Sequence, residues 1–182
     1  MKKLIAALCI FCASFQSHSQ IEGMEIGLDG SFWASSWGGS ANLGVKYGFQ
    51  LNETFVIGPS LRYQYLWNTH PQLSAKASAN IFGGGAYIHA RFMDWLFLGA
   101  EFEFLQSPQQ YYVEGKKRGW VPVLFIAGGF SRSLNDRLRL NLGLNYDVIN
   151  SQYTPFANQY MITRKNGSRI PLIYRVALFI NL

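Results

Sequence analysis

The chain has 182 residues, with 16 Lys and Arg against 10 Asp and Glu for a net charge of +6, and only two cysteines, Cys9 and Cys12. Such a length suits one domain, and the absence of cysteine after Cys12 excludes disulfides and thiolate metal sites from the rest of the chain. Aromatic residues at 16% and 18 glycines are high for a soluble domain.

Lys2 and Lys3 form a basic n-region, Leu4 to Phe15 an apolar core, and Ser17-His18-Ser19 a small-x-small cleavage motif. Residues 1–19 therefore read as a signal peptide for the Sec pathway, with Gln20 as the mature N-terminus. The apolar run falls short of the roughly 20 residues of a spanning helix. Leu8 before Cys9 and Phe11 before Cys12 are too large for a lipoprotein cleavage site, so lipidation is not expected. Without Lys2 and Lys3 the cationic excess falls to +4.

From Glu22 onward the chain alternates at period two. The first strand, Glu22 to Ala34, sets Met24, Ile26, Leu28 and Phe32 against Glu25, Gly27, Asp29 and Ser31. The second opposes Leu43, Val45, Tyr47 and Phe49 to Asn42, Gly44, Lys46, Gly48 and Gln50. After a tight turn at Asn52-Glu53, the third has the broadest apolar face: Phe55, Ile57, Pro59, Leu61, Tyr63, Tyr65 and Trp67. Its other face carries Arg62 and Gln64, and Pro59, lacking a ladder donor, predicts a bulge or local distortion. The fourth strand presents Phe82, Ala86, Ile88, Ala90 and Phe92 opposite Tyr87, His89 and Arg91, and turns at Met93-Asp94. The fifth opposes Leu96, Leu98, Ala100, Phe102 and Phe104 to Gly99, Glu101 and Glu103; the sixth, from Trp120, exposes Leu124, Ile126 and Phe130. Beyond Ser133 to Asp136, the seventh sets Leu138, Leu140, Leu142, Leu144, Tyr146 and Val148 against Arg139, Asn141, Gly143, Asn145 and Asp147. The eighth has Leu172, Tyr174, Val176, Leu178, Ile180 and Leu182 on one side and Arg175 and Asn181 on the other.

An apolar face opposite a Gly-rich, charged face is the pattern of a transmembrane β-strand, with lipid outside and a polar lumen inside. A soluble barrel would invert it. Open edges are not tolerated in lipid, so the last strand must pair with the first. The predicted fold is an eight-stranded antiparallel up-and-down barrel over residues 20–182. Ten strands are the alternative, because Asn166-Gly167 is a hairpin signal inside the long final loop.

The predicted inward charges are Glu25, Asp29, Lys46, Arg62, His89, Arg91, Glu101, Glu103, Arg139, Asp147 and Arg175. A barrel of eight strands has room only for its own side chains, and buried charges persist when paired. The expectation is a salt-bridge plug with Glu101 and Glu103 facing Arg91, Arg62 or Arg139, preferred over an ion path at His89. Serine-based hydrolysis would require a histidine base and an orienting acid. Only His70, in a loop, and His89, in the lumen, follow the leader. No catalytic residue, cofactor or metal site is expected. A lipid A-modifying enzyme remains a lesser alternative.

The short turns should face the periplasm and the longer loops, near 35–40, 68–77, 106–119 and 149–169, the outside. The two longest carry Lys116, Lys117, Arg118, Arg164, Lys165 and Arg169 with Tyr111, Tyr112, Tyr153, Phe156 and Tyr160. Basic groups beside aromatics suit lipopolysaccharide phosphates and sugars or a protein partner; solvated hairpin tips are the plainer reading. Nucleic acid is not a partner for an exported barrel. Trp33, Trp37, Trp67 and Trp120 fall near outer strand ends and Trp95 near a periplasmic turn, as in interfacial girdles; Trp33, out of phase with Phe32, is also a candidate to turn inward.

These features together resemble the small OmpA/OmpX-type outer-membrane barrel family. The resemblance rests on the eightfold alternation, the short and long loops in turn, and the terminal Tyr174-x-Val176-x-Leu178-x-Ile180-x-Leu182. That strand looks like the signal read by the barrel-assembly machinery, with Leu182 in place of the usual terminal aromatic; this and Gln20 look like proteins of the Bacteroidota. The resemblance implies the outer membrane of a Gram-negative bacterium, contact with its lipid and lipopolysaccharide, and no transferable catalytic residue. A strand running to the last residue predicts that no periplasmic domain follows. The expected role is a non-enzymatic barrel serving envelope integrity or binding through its loops. The alternative is an accessory subunit of a larger outer-membrane complex for barrel assembly, secretion or nutrient uptake.

Overall fold

The computed structural model describes residues 23–36, 38–70, 75–92, 95–108 and 119–182. The wall strands are β1 (Gly23–Ser35), β2 (Gly38–Gln50), β3 (Phe55–His70), β4 (Ala75–Phe92), β5 (Leu96–Ser107), β6 (Gly119–Ser133), β7 (Leu138–Asp147) and β10 (Leu172–Asn181). Each pairs antiparallel with its neighbour, and β1 pairs with β10 from Glu25↔Asn181 to Gly30↔Val176, closing an all-β barrel of eight strands. Near the outer end of that seam the Tyr174 hydroxyl meets the Phe32 backbone carbonyl. The remaining strands, β8 (Ile162–Thr163) and β9 (Arg169–Ile170), form a separate ribbon within the last loop. The Asn166-Gly167 signal thus makes a hairpin that adds nothing to the wall, and Gly167 there has φ +82°, a conformation glycine adopts without penalty.

Burial follows the alternation. In β3, Phe55, Ile57, Pro59, Leu61, Tyr63 and Tyr65 are exposed, whereas Val56, Gly58, Ser60, Arg62, Gln64 and Leu66 are buried. The same division runs round the barrel: Leu43, Leu98, Phe102, Ile126, Phe130, Leu142 and Val176 are exposed, and Lys46, Glu101, Glu103, Asn145 and Arg175 are enclosed.

No bulge forms at Pro59. Lys46↔Ser60 and Phe49↔Ile57 share one register, so no residue is inserted, but the local distortion is present: pairing with β2 lapses at both Gly58 and Pro59. Proline costs the ladder a donor there, and the gap extends to the neighbouring Gly58. A Cβ at Gly58 would collide with the Tyr47 carbonyl oxygen, so the strands draw together where a side chain is lacking.

Two short turns use the same chemistry. The Asn52 side-chain oxygen accepts from the Thr54 and Phe55 amides at 2.9 and 2.7 Å. Asn135 accepts from Arg137 and Leu138 at 2.9 and 2.7 Å. An asparagine that satisfies the following amides is a compact way to reverse the chain. The turn expected at Met93-Asp94 lies outside the described residues.

Candidate functional site

The interior is stacked in layers, and the middle one is ionic. Gly44, between its neighbours on β2, leaves space into which β1 projects Asp29: a Cβ there would stand 2.7 Å from the carboxylate. Asp29 accepts from Arg62 Nη1 at 2.8 Å and lies 2.9 Å from Lys46 Nζ. Arg62 also donates through Nε to Glu103 at 2.7 Å. Glu101 receives Lys46 and, at 2.6 Å, Arg175 Nη1, with Arg62 Nη2 at 3.6 Å and His89 Nε2 at 3.3 Å. Three carboxylates thus balance three permanent cations, all almost fully buried. Paired and hydrogen-bonded charges avoid most of the desolvation penalty that isolated ones would carry. Beside them is a cavity of about 20 Å³, bounded by His89, Phe97, Asn141, Asn145 and Arg175 among others. That is room for about one water molecule.

On the side of the short turns an aromatic layer covers the charges. His89 packs against Tyr87, Phe97 and Phe179 at centroid distances of 4.8, 5.5 and 5.7 Å. Arg91 lies 5.1 Å over the Phe179 ring and donates to Glu25 at 2.7 and 2.8 Å. Arg91 therefore serves Glu25 and not Glu101 or Glu103, as the sequence suggested. Arg139 reaches Ser131 Oγ at 3.1 Å instead of the glutamates. Both differences have one cause: alternation places a residue on the inner face, but height along the barrel decides what it meets. Arg91 and Arg139 stand near the short turns, below the level of Glu101 and Glu103.

The opposite side departs further from a polar lumen. Leu66, Ile81, Leu105, Val123, Phe125 and Ile173 point inward and form an apolar cluster with Phe156 and Tyr160 of the last loop. This loop, expected to present its aromatics to solvent or a ligand, folds back into the barrel mouth. Phe156 is fully buried and stacks edge-on against Phe125 at 5.0 Å. Below it, the Arg175 guanidinium lies 4.4 Å from the Phe125 ring and 5.6 Å from that of Phe156.

Polar side chains of the wall hold the loop in place. Gln159, on a single 3-10 turn at Ala157–Gln159, accepts from Asn42 Nδ2 at 2.7 Å and Ser31 Oγ at 3.2 Å, and donates to Ser40 Oγ at 2.7 Å. Gln64 donates to the Pro155 carbonyl at 3.0 Å and Ser107 to that of Tyr153 at 2.8 Å. Asp147 accepts from the Tyr160 hydroxyl at 3.1 Å, Thr154 Oγ1 at 3.2 Å and the Asn150 amide at 3.0 Å. Burial, reinforced by the Asp147 carboxylate, raises the Tyr160 phenol above its ordinary pKa of 10.0. Phe156, Gln159 and Tyr160 are the residues that sequence reasoning missed as parts of the interior. The only signal was indirect: an inner face with apolar Leu66, Ile81, Leu105 and Phe125 at one end requires an apolar cover.

The other predicted site residues fall elsewhere. Arg164, Lys165 and Arg169 are exposed at the ribbon, with Arg169 Nη1 donating to the Ala157 carbonyl at 2.8 Å. Tyr111, Tyr112, Lys116, Lys117 and Arg118 lie outside the described residues, as do Trp37 and residues 1–19. Trp33 shares the inward phase yet is exposed at the strand end, beside the mouth. Tyr174, Val176, Leu178 and Ile180 line the outer side of β10, and exposed Leu182 follows its last residue. Among the described residues no cluster of His, Cys, Asp and Glu is arranged to hold a metal ion.

No protein-family model matches the chain, and no curated protein matches it. Among solved structures it is similar to the N-terminal β-barrel domain of Pseudomonas aeruginosa OprF, at 12% identity and a TM-score of 0.47, covering 88% of this chain and 97% of that one. It is also similar to the NanC porin, at 8% identity and a TM-score of 0.33, covering 87% and 100%.

Proposed function

We propose that the chain is a non-enzymatic integral barrel of the Gram-negative outer membrane, of the OmpA/OmpX type, with a plugged lumen. The observation that carries this reading is the distribution of side chains on a wall without edges. Exposed Leu, Ile, Val, Phe and Tyr residues surround the barrel, while balanced charges fill it. Water would not tolerate so continuous an apolar exterior, and a bilayer requires one. The leader, residues 1–19, directs export and is removed by cleavage after Ser19, and the outer face of β10 from Tyr174 together with Leu182 serves as the signal for the assembly machinery. The function, in envelope integrity or binding, resides in the wall and the outer loops.

Fractionation and conductance test this together. The protein should partition with outer-membrane lipid and lipopolysaccharide, and single-channel recordings in planar bilayers should show no steady open state. A stable large conductance would refute the plugged lumen; recovery in the soluble periplasm would refute the membrane reading.

A second reading, an accessory subunit of a larger complex, is favoured by the aromatic outer face of β3. Phe55, Tyr63 and Tyr65 are exposed there, and Tyr65 stacks on Trp67 at 5.8 Å. Pull-down in mild detergent separates the two: a stoichiometric partner surviving purification would displace the free-standing barrel.

A further inference from the structure

The β8–β9 ribbon combines features that no lumen or wall role uses. Residues 148–171 contain five polar amides and three cations but no Asp or Glu. All three cations, Arg164, Lys165 and Arg169, are exposed. Arg169 is tied down through its hydrogen bond to Ala157, whereas Arg164 and Lys165 occupy the free tip, beside the Asn166-Gly167 turn. The tip itself is well formed: Arg164 N donates to the Ser168 carbonyl at 2.7 Å and Gly167 N to that of Arg164 at 2.9 Å.

The same loop also exposes apolar residues. Val148 and Ile149 at the start of the loop, and Met161 and Ile162 at the base of the ribbon, are exposed at 41 to 52%. Val148 follows exposed Tyr146 at the end of β7, and Met161 is tied to Leu172, which pairs with Tyr146 at the start of β10, so exposed apolar residues continue from the wall into the loop. The ribbon is fixed to the wall at this point, since Met161 N donates to the Leu172 carbonyl at 3.0 Å and Asp147 N to that of Pro171 at 2.8 Å.

We propose that this side of the barrel binds the phosphorylated headgroup of an outer-leaflet glycolipid, with Arg164 and Lys165 on the phosphates and Val148, Ile149, Met161 and Ile162 against the adjoining acyl region. The inference rests on the membrane reading above. Charge complementarity selects the occupant: a cationic tip free of Asp and Glu, on a ribbon with exposed aliphatics at its base, matches a molecule that joins phosphate to hydrocarbon. A soluble anion would have no use for the aliphatic part. A folded protein partner would require a larger complementary surface than this narrow ribbon offers.

The test uses the full chain in non-ionic detergent with three probes: lipid A carrying both phosphates, the same lipid enzymatically stripped of phosphate, and inorganic phosphate. Native mass spectrometry reads retention. Each cation near an anionic surface is worth about fivefold in affinity, so Arg164→Gln/Lys165→Gln should weaken phosphorylated lipid A about 30-fold. The difference should collapse near 1 M salt, where screening acts within about 3 Å. Stripped lipid should bind wild type and variant alike. The control, Arg132→Gln/Arg137→Gln at the opposite barrel end, should leave binding unchanged.

Equal retention of phosphorylated lipid A by wild type and the tip variant would overturn the proposal, as would an equal loss in the control. Retention of inorganic phosphate as strong as that of lipid A would assign the tip to free anions and also overturn it. Failure of the wild type itself to fold into bilayers would strike the membrane reading instead, so the two failures remain distinct.

Discussion

At the residue scale the protein is governed by ion pairing away from water. Glu101 is the shared acceptor of the middle layer, meeting Lys46, Arg175 and Arg62, with His89 beside it. Its removal leaves Arg175 without its carboxylate and weakens the neutralisation of Lys46, which retains Asp29. Breaking a buried pair by deleting one partner costs about 3–5 kcal/mol, because the other charge stays buried. Glu101→Leu should lower the stability of the refolded barrel by that amount in urea titration, whereas an exposed Arg132→Gln change should cost less than about 0.5 kcal/mol. Which glutamate meets which arginine was not legible in the sequence. Alternation assigned Arg91 and Glu101 to the same lumen, but a period of two carries no information about height or about contacts across the barrel.

At the scale of elements, the eight wall strands and the last loop behave differently. Each strand announces itself through alternation, because one side must match an apolar medium and the other a crowded interior. The loop has no such repeat, so Tyr153, Phe156 and Tyr160 read as surface aromatics when two of them are buried. Side-chain contacts from Gln64, Asn42, Ser40 and Ser107 hold this cork, while backbone ladders hold the wall. It should therefore open as a unit below the barrel's own unfolding. Phe156→Ala should expose residues 148–161 to limited proteolysis while the wall strands remain protected.

The same cork has a pH dependence whose sign follows from Tyr160. Burial raises its phenol above 10.0 in the folded state, so the neutral form is favoured there relative to the unfolded chain. That stabilisation is complete below pH 10 and is lost as pH rises from 10 toward the folded value. Subtilisin cleavage within 148–161 should accelerate between pH 9 and pH 11 by more than the change in protease activity alone. Tyr160→Phe should flatten this response, at a cost of about 1.5–3 kcal/mol for the lost hydrogen bond to the buried Asp147 carboxylate.

For the whole molecule, closure and inversion go together. A wall with no free edge satisfies its backbone groups within the sheet, apart from the gap at Gly58 and Pro59; on the proposed membrane reading, Leu61, 69% exposed on β3, faces hydrocarbon. An arginine at the midplane of such a face costs about 2–4 kcal/mol in a bilayer. Leu61→Arg should therefore lower stability by that amount when the protein is refolded into lipid vesicles. Arg at Glu53, in a turn, should be nearly neutral.

The sequence by itself determined the strands, their inner and outer faces, the pool of interior charges and the hairpin at Asn166-Gly167. These are local properties, set by side-chain period and turn chemistry. Only the tertiary structure decided that the hairpin stays outside the wall, that Arg91 serves Glu25, and that Phe156 and Gln159 close the mouth. Each depends on which residues share a height once the sheet curls and β1 meets β10, and a linear pattern does not contain that distance.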